Sequence, residues 1–194
     1  QEPVNNTVII SGTITDPLSE TASIISEDRS NTYTDSLDNE AAFEIVFDID
    51  SPAYMSFKHG QETTAMYVKP GDKINLSINP TEFDETISYD GSKASNFLAK
   101  KYLAEEELDF RELYSLEETN FLAQVTEAES MMNGLLDSLV EGLFKTEQKR
   151  SISLQWASTK LNYKKYYEYL GNGTLELSAN YYDFVEEFNI NDPS

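Results

Sequence analysis

At 194 residues, 39% of them hydrophobic, the chain can bury one substantial core or two smaller ones, and extensive disorder is not expected. Its 35 acidic and 14 basic residues give a formal net charge of -21, which repels a nucleic acid backbone or an anionic membrane surface. No run approaches the roughly 18 to 20 apolar residues of a membrane span, and the absence of cysteine excludes disulfides, thiolate metal sites and cysteine nucleophiles within these residues.

The first residues, Gln1-Glu2-Pro3 and a polar run to Thr7, contain neither a basic start nor an apolar core, so a secretion signal is either absent or removed. Val8, Ile10, Gly12 and Ile14 then alternate with Ile9, Ser11, Thr13 and Thr15 as a half-buried strand stopped by Asp16-Pro17. Further strands are read at residues 21–26, 32–36 and 42–48, the last with Phe43, Ile45 and Phe47 on one face. Others follow at 55–58, 63–68, 73–78 and 86–89. Turn signals at His59-Gly60 and Pro70-Gly71-Asp72 recur at the spacing of an antiparallel sandwich or barrel, and a β-sandwich of about seven or eight strands is expected. Pro70-Gly71 fits a type II turn in a tight hairpin, because proline presets φ and glycine accepts a positive one.

At Asp90-Gly91-Ser92 the apolar period changes from two to near 3.5. Ser92 or Ser95 caps a helix carrying Phe97, Leu98, Lys101, Tyr102 and Leu108, and Ser115 with Glu118 reads as a capping box. One seam follows, Phe121, Val125, Ala128, Met132, Leu135 and Leu139, and a second, Ile152, Trp156, Thr159, Tyr163, Tyr166 and Leu170. Polar residues 145–150 lie between them, and a helical hairpin is favoured over one long helix because two seams of matching length can bury each other. Gly171-Asn172-Gly173 ends the second helix, and Ser178 opens a short one bearing Tyr181, Tyr182, Phe184, Val185 and Phe188. The expected fold class is α+β, an N-terminal antiparallel β-sandwich over residues 1–91 followed by a helical hairpin or bundle over 92–194.

No catalytic, cofactor-binding or metal-binding set is read from the residues, and no cofactor is expected. His59, the sole histidine, is placed in an exposed turn. Asp28, Asp35, Asp38, Asp48 and Asp50 lack the spacing of a calcium loop. Nucleotide-binding and nucleophile-elbow fingerprints are missing, and the sequons at Asn5 and Asn172 are too short to discriminate. Tyr163, Tyr166, Tyr167 and Tyr169, interleaved with Lys160, Lys164 and Lys165, are the candidate partner contacts, with core packing as the competing role for the first two.

Ile9-Ile10-Ser11-Gly12-Thr13-Ile14, Ala42-Phe43-Glu44-Ile45, the stretch from Met66 through Pro70-Gly71-Asp72 to Ile74, and Tyr89-Asp90-Gly91-Ser92 leading to Asn96-Phe97-Leu98 resemble the N-terminal region of TlpA-like or ResA-like thiol-disulfide oxidoreductases. The variety resembled is the long one of the envelope of Bacteroides-type bacteria; the closing Ser178 to Phe184 and Asn189 to Asp192 are similar to its helical linker. The catalytic part of that family is a downstream thioredoxin fold with a CxxC pair, and no residue here corresponds to it. The resemblance implies a non-catalytic accessory module of a periplasmic or lipid-anchored protein. It would position its own downstream thioredoxin-like domain, form a homodimer or present a protein client, the chain continuing past Ser194 and an anchoring cysteine preceding Gln1. The alternative is a self-standing envelope module that binds a glycan, peptide or protein.

Overall fold

The computed structural model describes residues 5–137 and 142–187. The fold is α+β, and the chain divides into two compact units, Gln1–Glu105 and Glu106–Ser194. The change of period near Gly91 thus marks a change of secondary structure, whereas the division into units falls between Glu105 and Glu106.

The first unit is a sandwich of two four-stranded sheets. The strands are β1 (Thr7–Ile14), β2 (Thr21–Ser26), β3 (Thr32–Ser36), β4 (Ala42–Asp48), β5 (Ala53–His59), β6 (Glu62–Val68), β7 (Lys73–Ile78) and β8 (Ser88–Asp90). One sheet runs β4-β1-β7-β8 and the other β3-β2-β5-β6. Strands β1, β2, β4, β5 and β7 bury alternate side chains because successive Cβ atoms point to opposite faces. Val8, Ile10, Ile14, Phe43, Ile45, Phe47, Ile74 and Leu76 of the first sheet meet Ala22, Ile24, Met55, Phe57 and Met66 of the second. Phe43, Phe57 and Phe83 stack in series through this core, the last from a short helical turn, α1 (Phe83–Thr86).

All pairs are antiparallel except β1 with β7, which run parallel from Ile9↔Lys73 to Ile14↔Ile78. Gly12 lies in that ladder, where an added Cβ would stand 2.2 Å from the Leu76 carbonyl oxygen and 3.0 Å from the Phe43 ring. Gly71 has φ 85° and the Asp72 N–H donates to the Lys69 carbonyl, the geometry of a type II turn. The turn is not a hairpin, however. It carries the chain from β6 of one sheet to β7 of the other, a distinction that local turn chemistry does not encode.

Helix α2 (Lys93–Glu106) belongs to this unit in all but its last residue and fastens its open side. Ser92 caps it by accepting the Ser95 N–H. Ser95 Oγ accepts the Tyr67 N–H and donates to the Tyr67 carbonyl, so one side chain occupies both main-chain groups of an edge residue of β6. Its neighbour Asn96 does the same to β8, accepting from the Tyr89 N–H and donating to the Tyr89 carbonyl.

The second unit is a helical hairpin of α4 (Glu118–Asp137) and α5 (Leu143–Tyr169), preceded by a single turn, α3 (Phe110–Leu113), capped by Asp109. The helices are antiparallel: Phe121 near the start of α4 stacks on Tyr163 near the end of α5, centroids 3.9 Å apart, and Asp137 at the far end pairs with Lys145 and Lys149. Residues 145–150 are helical, so the reversal comes earlier in the chain than the polar stretch suggested. The first seam buries Phe121, Val125, Ala128, Met132 and then Leu136, not Leu135; Leu139 lies outside the described residues. The second buries Ile152, Trp156, Thr159, Tyr163 and then Tyr167, leaving Tyr166 at 39% exposure. A helix of 3.6 residues per turn drifts from a strict 3.5 repeat, and at the seam ends the next residue turns inward.

Neither half of the expected capping box forms, since Ser115 Oγ donates to the Arg111 carbonyl and the Glu118 carboxylate accepts from Ser178 N–H and Oγ. With Ser178 so engaged, the segment after it makes turns closing on the third residue and a 3-10 helix, Asp183–Glu187, in place of the expected α-helix. Tyr181 from this segment lies against Tyr163, and its hydroxyl donates to the Lys160 carbonyl. Phe188 and Asn189 to Asp192 lie outside the described residues.

Candidate functional site

A trough of about 490 Å³ lies on the outer face of the sheet β3-β2-β5-β6. Ile25 of β2, Tyr54, Ser56 and Lys58 of β5 and Thr63 and Ala65 of β6 contribute to its lining, the outward residues of three neighbouring strands. Their period-two partners are core, so the surface rests on a rigid, packed sheet. Tyr54 and Tyr67 meet edge to face at one end, centroids 5.0 Å apart.

Glu27 and Arg29 add charge from the β2–β3 turn. That turn is held by Asp28, whose Oδ1 accepts from Ser26 Oγ and from Ser30 N–H and Oγ. These bonds, the Ser26 hydroxyl first, lower the Asp28 carboxyl to a pKa of about 2. Arg29 and Lys58 are in no ion pair among the described residues. The trough therefore combines an aromatic face, hydroxyls, two cations in no ion pair among the described residues and one carboxylate, that of Glu27, suited to noncovalent recognition.

β6 is also an edge strand, exposed at Glu62, Thr63 and Ala65. The opposite side of the sandwich is closed by Asp35 Oδ2 of β3, which accepts the Glu44 N–H of β4, and by the stacked rings of Tyr33 and Phe47.

The four tyrosines singled out by the sequence separate into two roles. Tyr163 is fully buried, donates its hydroxyl to the Leu116 carbonyl and has its pKa pushed up to about 12, by desolvation first and Glu117 second. Tyr167 is buried and donates to Glu117 Oε1. Tyr166 is half-exposed beside Tyr114, and Tyr169 is 82% exposed. Leu154 and Leu161 of α5 are exposed too, but they lie outside both seams.

His59 is buried at 2% exposure, against the expectation of an exposed turn. The β5–β6 hairpin tucks it against the segment before β2, where Nε2 accepts the Leu18 N–H and Nδ1–H donates to the Thr21 carbonyl. The aspartates considered for calcium organise loops instead: Asp38 accepts from Glu40 and Ala42 N–H, and Asp50 from the Asn6 amide. Among the described residues no group of three or more His, Asp or Glu is placed to hold a metal ion, and no helix is long and apolar enough to cross a membrane. Compared with protein-family models, curated proteins and solved structures, the chain matches none.

Proposed function

We propose that the chain is a non-catalytic accessory module of a cell-envelope thiol-disulfide oxidoreductase, and that its sandwich presents a protein client to a thioredoxin-like domain downstream. The trough carries this reading: recognition groups converge from three strands and the β2–β3 turn on a stiff sheet, and two of them are cations in no ion pair among the described residues. The reading is supported by where the resemblance-bearing stretches meet. Tyr67 is bonded to Ser95 and Tyr89 to Asn96, so short motifs distant in sequence form one hydrogen-bonded corner.

The module works in the periplasm, carried by a lipid anchor upstream of Gln1, and needs no cofactor of its own. Reading the native frame beyond Ser194 tests this. A thioredoxin-like segment with a WCxxC motif is expected. A stop codon within a few residues would overturn the accessory role and leave a self-standing envelope binding module.

A further inference from the structure

We infer that the open stretch of β6, with the trough beside it, takes an extended polypeptide segment of a partner protein as a fifth strand, one carboxylate side chain of that segment reaching Lys58 and Arg29. This rests on the reading of the sandwich as a client-binding module and names what the client must offer.

Strand parity decides which main-chain groups of β6 are open. Tyr67 directs its N–H and carbonyl away from β5, because both are bonded to Ser95 Oγ. Main-chain direction repeats every second residue in an antiparallel edge strand, so Ala65 and Thr63 point their N–H and carbonyl groups the same way. Both are exposed, and no residue among those described pairs with them on that side. Such an edge is a template for another strand.

The other sheet edges are each engaged at a fixed point. β8 has three residues, and Asn96 occupies the main chain of the middle one; β3 and β4 are joined through Asp35 and Glu44. Ser95 also sets a stop, so an added strand has Thr63 and Ala65 to pair with and must leave the sheet before Tyr67.

Charge selects among extended segments. Lys58 stands opposite Thr63 in the β5–β6 register, with its side chain in the trough that Arg29 also lines, so the lining holds two cations against the one carboxylate of Glu27. Elsewhere the chain is strongly acidic, at -21 overall, so a uniformly acidic partner is repelled. One carboxylate aimed at the trough in a neutral or basic segment satisfies both conditions. An acidic glycan would meet the cations but would leave the main-chain groups of Thr63 and Ala65 unused.

The test is selection of a random dodecapeptide display library on the intact chain, followed by amide hydrogen exchange with the enriched peptides. Enriched sequences should share one Asp or Glu at a fixed position and should protect the Thr63 and Ala65 amides at least tenfold. Affinity should fall at least tenfold in Lys58→Glu and in Ala65→Pro. Proline is tolerated where an edge N–H faces solvent, and exchange on the unsubstituted protein reports independently of whether that variant folds. Failure to enrich, enrichment without a shared carboxylate, or undiminished binding to folded Ala65→Pro would overturn the inference. So would binding of an acidic oligosaccharide without amide protection, or protection that appears on raising protein concentration alone, which puts a second copy on the edge. A thioredoxin-like frame beyond Ser194 combined with any of these failures would remove the inference and leave the accessory reading intact.

Discussion

His59 has both ring nitrogens engaged with main-chain groups of the segment that leads into β2. Replacing it by alanine removes the partner of the Leu18 N–H and of the Thr21 carbonyl, both in part-buried bonds, a loss of about 1 to 2 kcal/mol that urea denaturation of the sandwich would register. Gly12→Ala acts by a different route: the new methyl group must displace either the β7 main chain or the Phe43 ring. A destabilisation of about 1 to 3 kcal/mol is expected for such overpacking, and an unchanged urea midpoint would show that the β1–β7 ladder is looser than described. Tyr163 links stability to alkaline pH. Its folded pKa of about 12 lies above the ordinary 10.0, so the stability it contributes is fully present below pH 10 and is lost as pH rises from 10 toward 12. Phenolate absorbance and helical circular dichroism should therefore change together in that window; a Tyr163 that ionises near pH 10 with the helices intact would refute its burial. Residue roles of this kind were poorly legible in the sequence. A histidine before glycine has the local signature of an exposed turn, and only the segment folded over it makes it core.

The elements themselves were far more legible, because alternation in β1, β2, β4 and β7 is enforced by one buried face. What failed to read through was register over distance. Along α4 the 3.5-residue seam and the true helical pitch part company by the fifth position, and Leu136 is fully buried where Leu135 is only partly so. Leu136→Asp should cost about 3 kcal/mol or more by burying a carboxylate and should unfold the hairpin, whereas Leu135→Asp should leave most of its helicity. Circular dichroism and melting of the pair decide the matter, and equal damage would restore the heptad seam. In the same way Pro70-Gly71 announced a type II turn correctly, while the identity of the strands it joins depends on sheet order.

Two units with separate cores make the molecule divisible in its response to damage. The Leu136→Asp variant should retain the dispersed methyl resonances of the sandwich even as those of the hairpin collapse; loss of both would show that the sandwich depends on the hairpin. The charge of -21 belongs to the whole chain as well, and solubility should fall to a minimum near the isoelectric pH of about 4.2, where self-repulsion vanishes. The trough is a property of this scale, and that is why the sequence concealed it. Ile25, Tyr54, Lys58 and Thr63 lie on three strands, and nothing in their spacing shows that those strands are neighbours. The tyrosine-rich run of α5, conspicuous in the sequence, is instead half consumed by the hairpin core. The parallel pairing of β1 with β7 has a further consequence for the order in which the sandwich can be made. β1 emerges from the ribosome first and finds β4 by Asp48, but its other flank stays bare until Ile78 has been synthesised. A nascent chain halted between those points would display a Val- and Ile-rich strand paired on one flank only, so the interval is where a chaperone would be needed and where truncated products would aggregate.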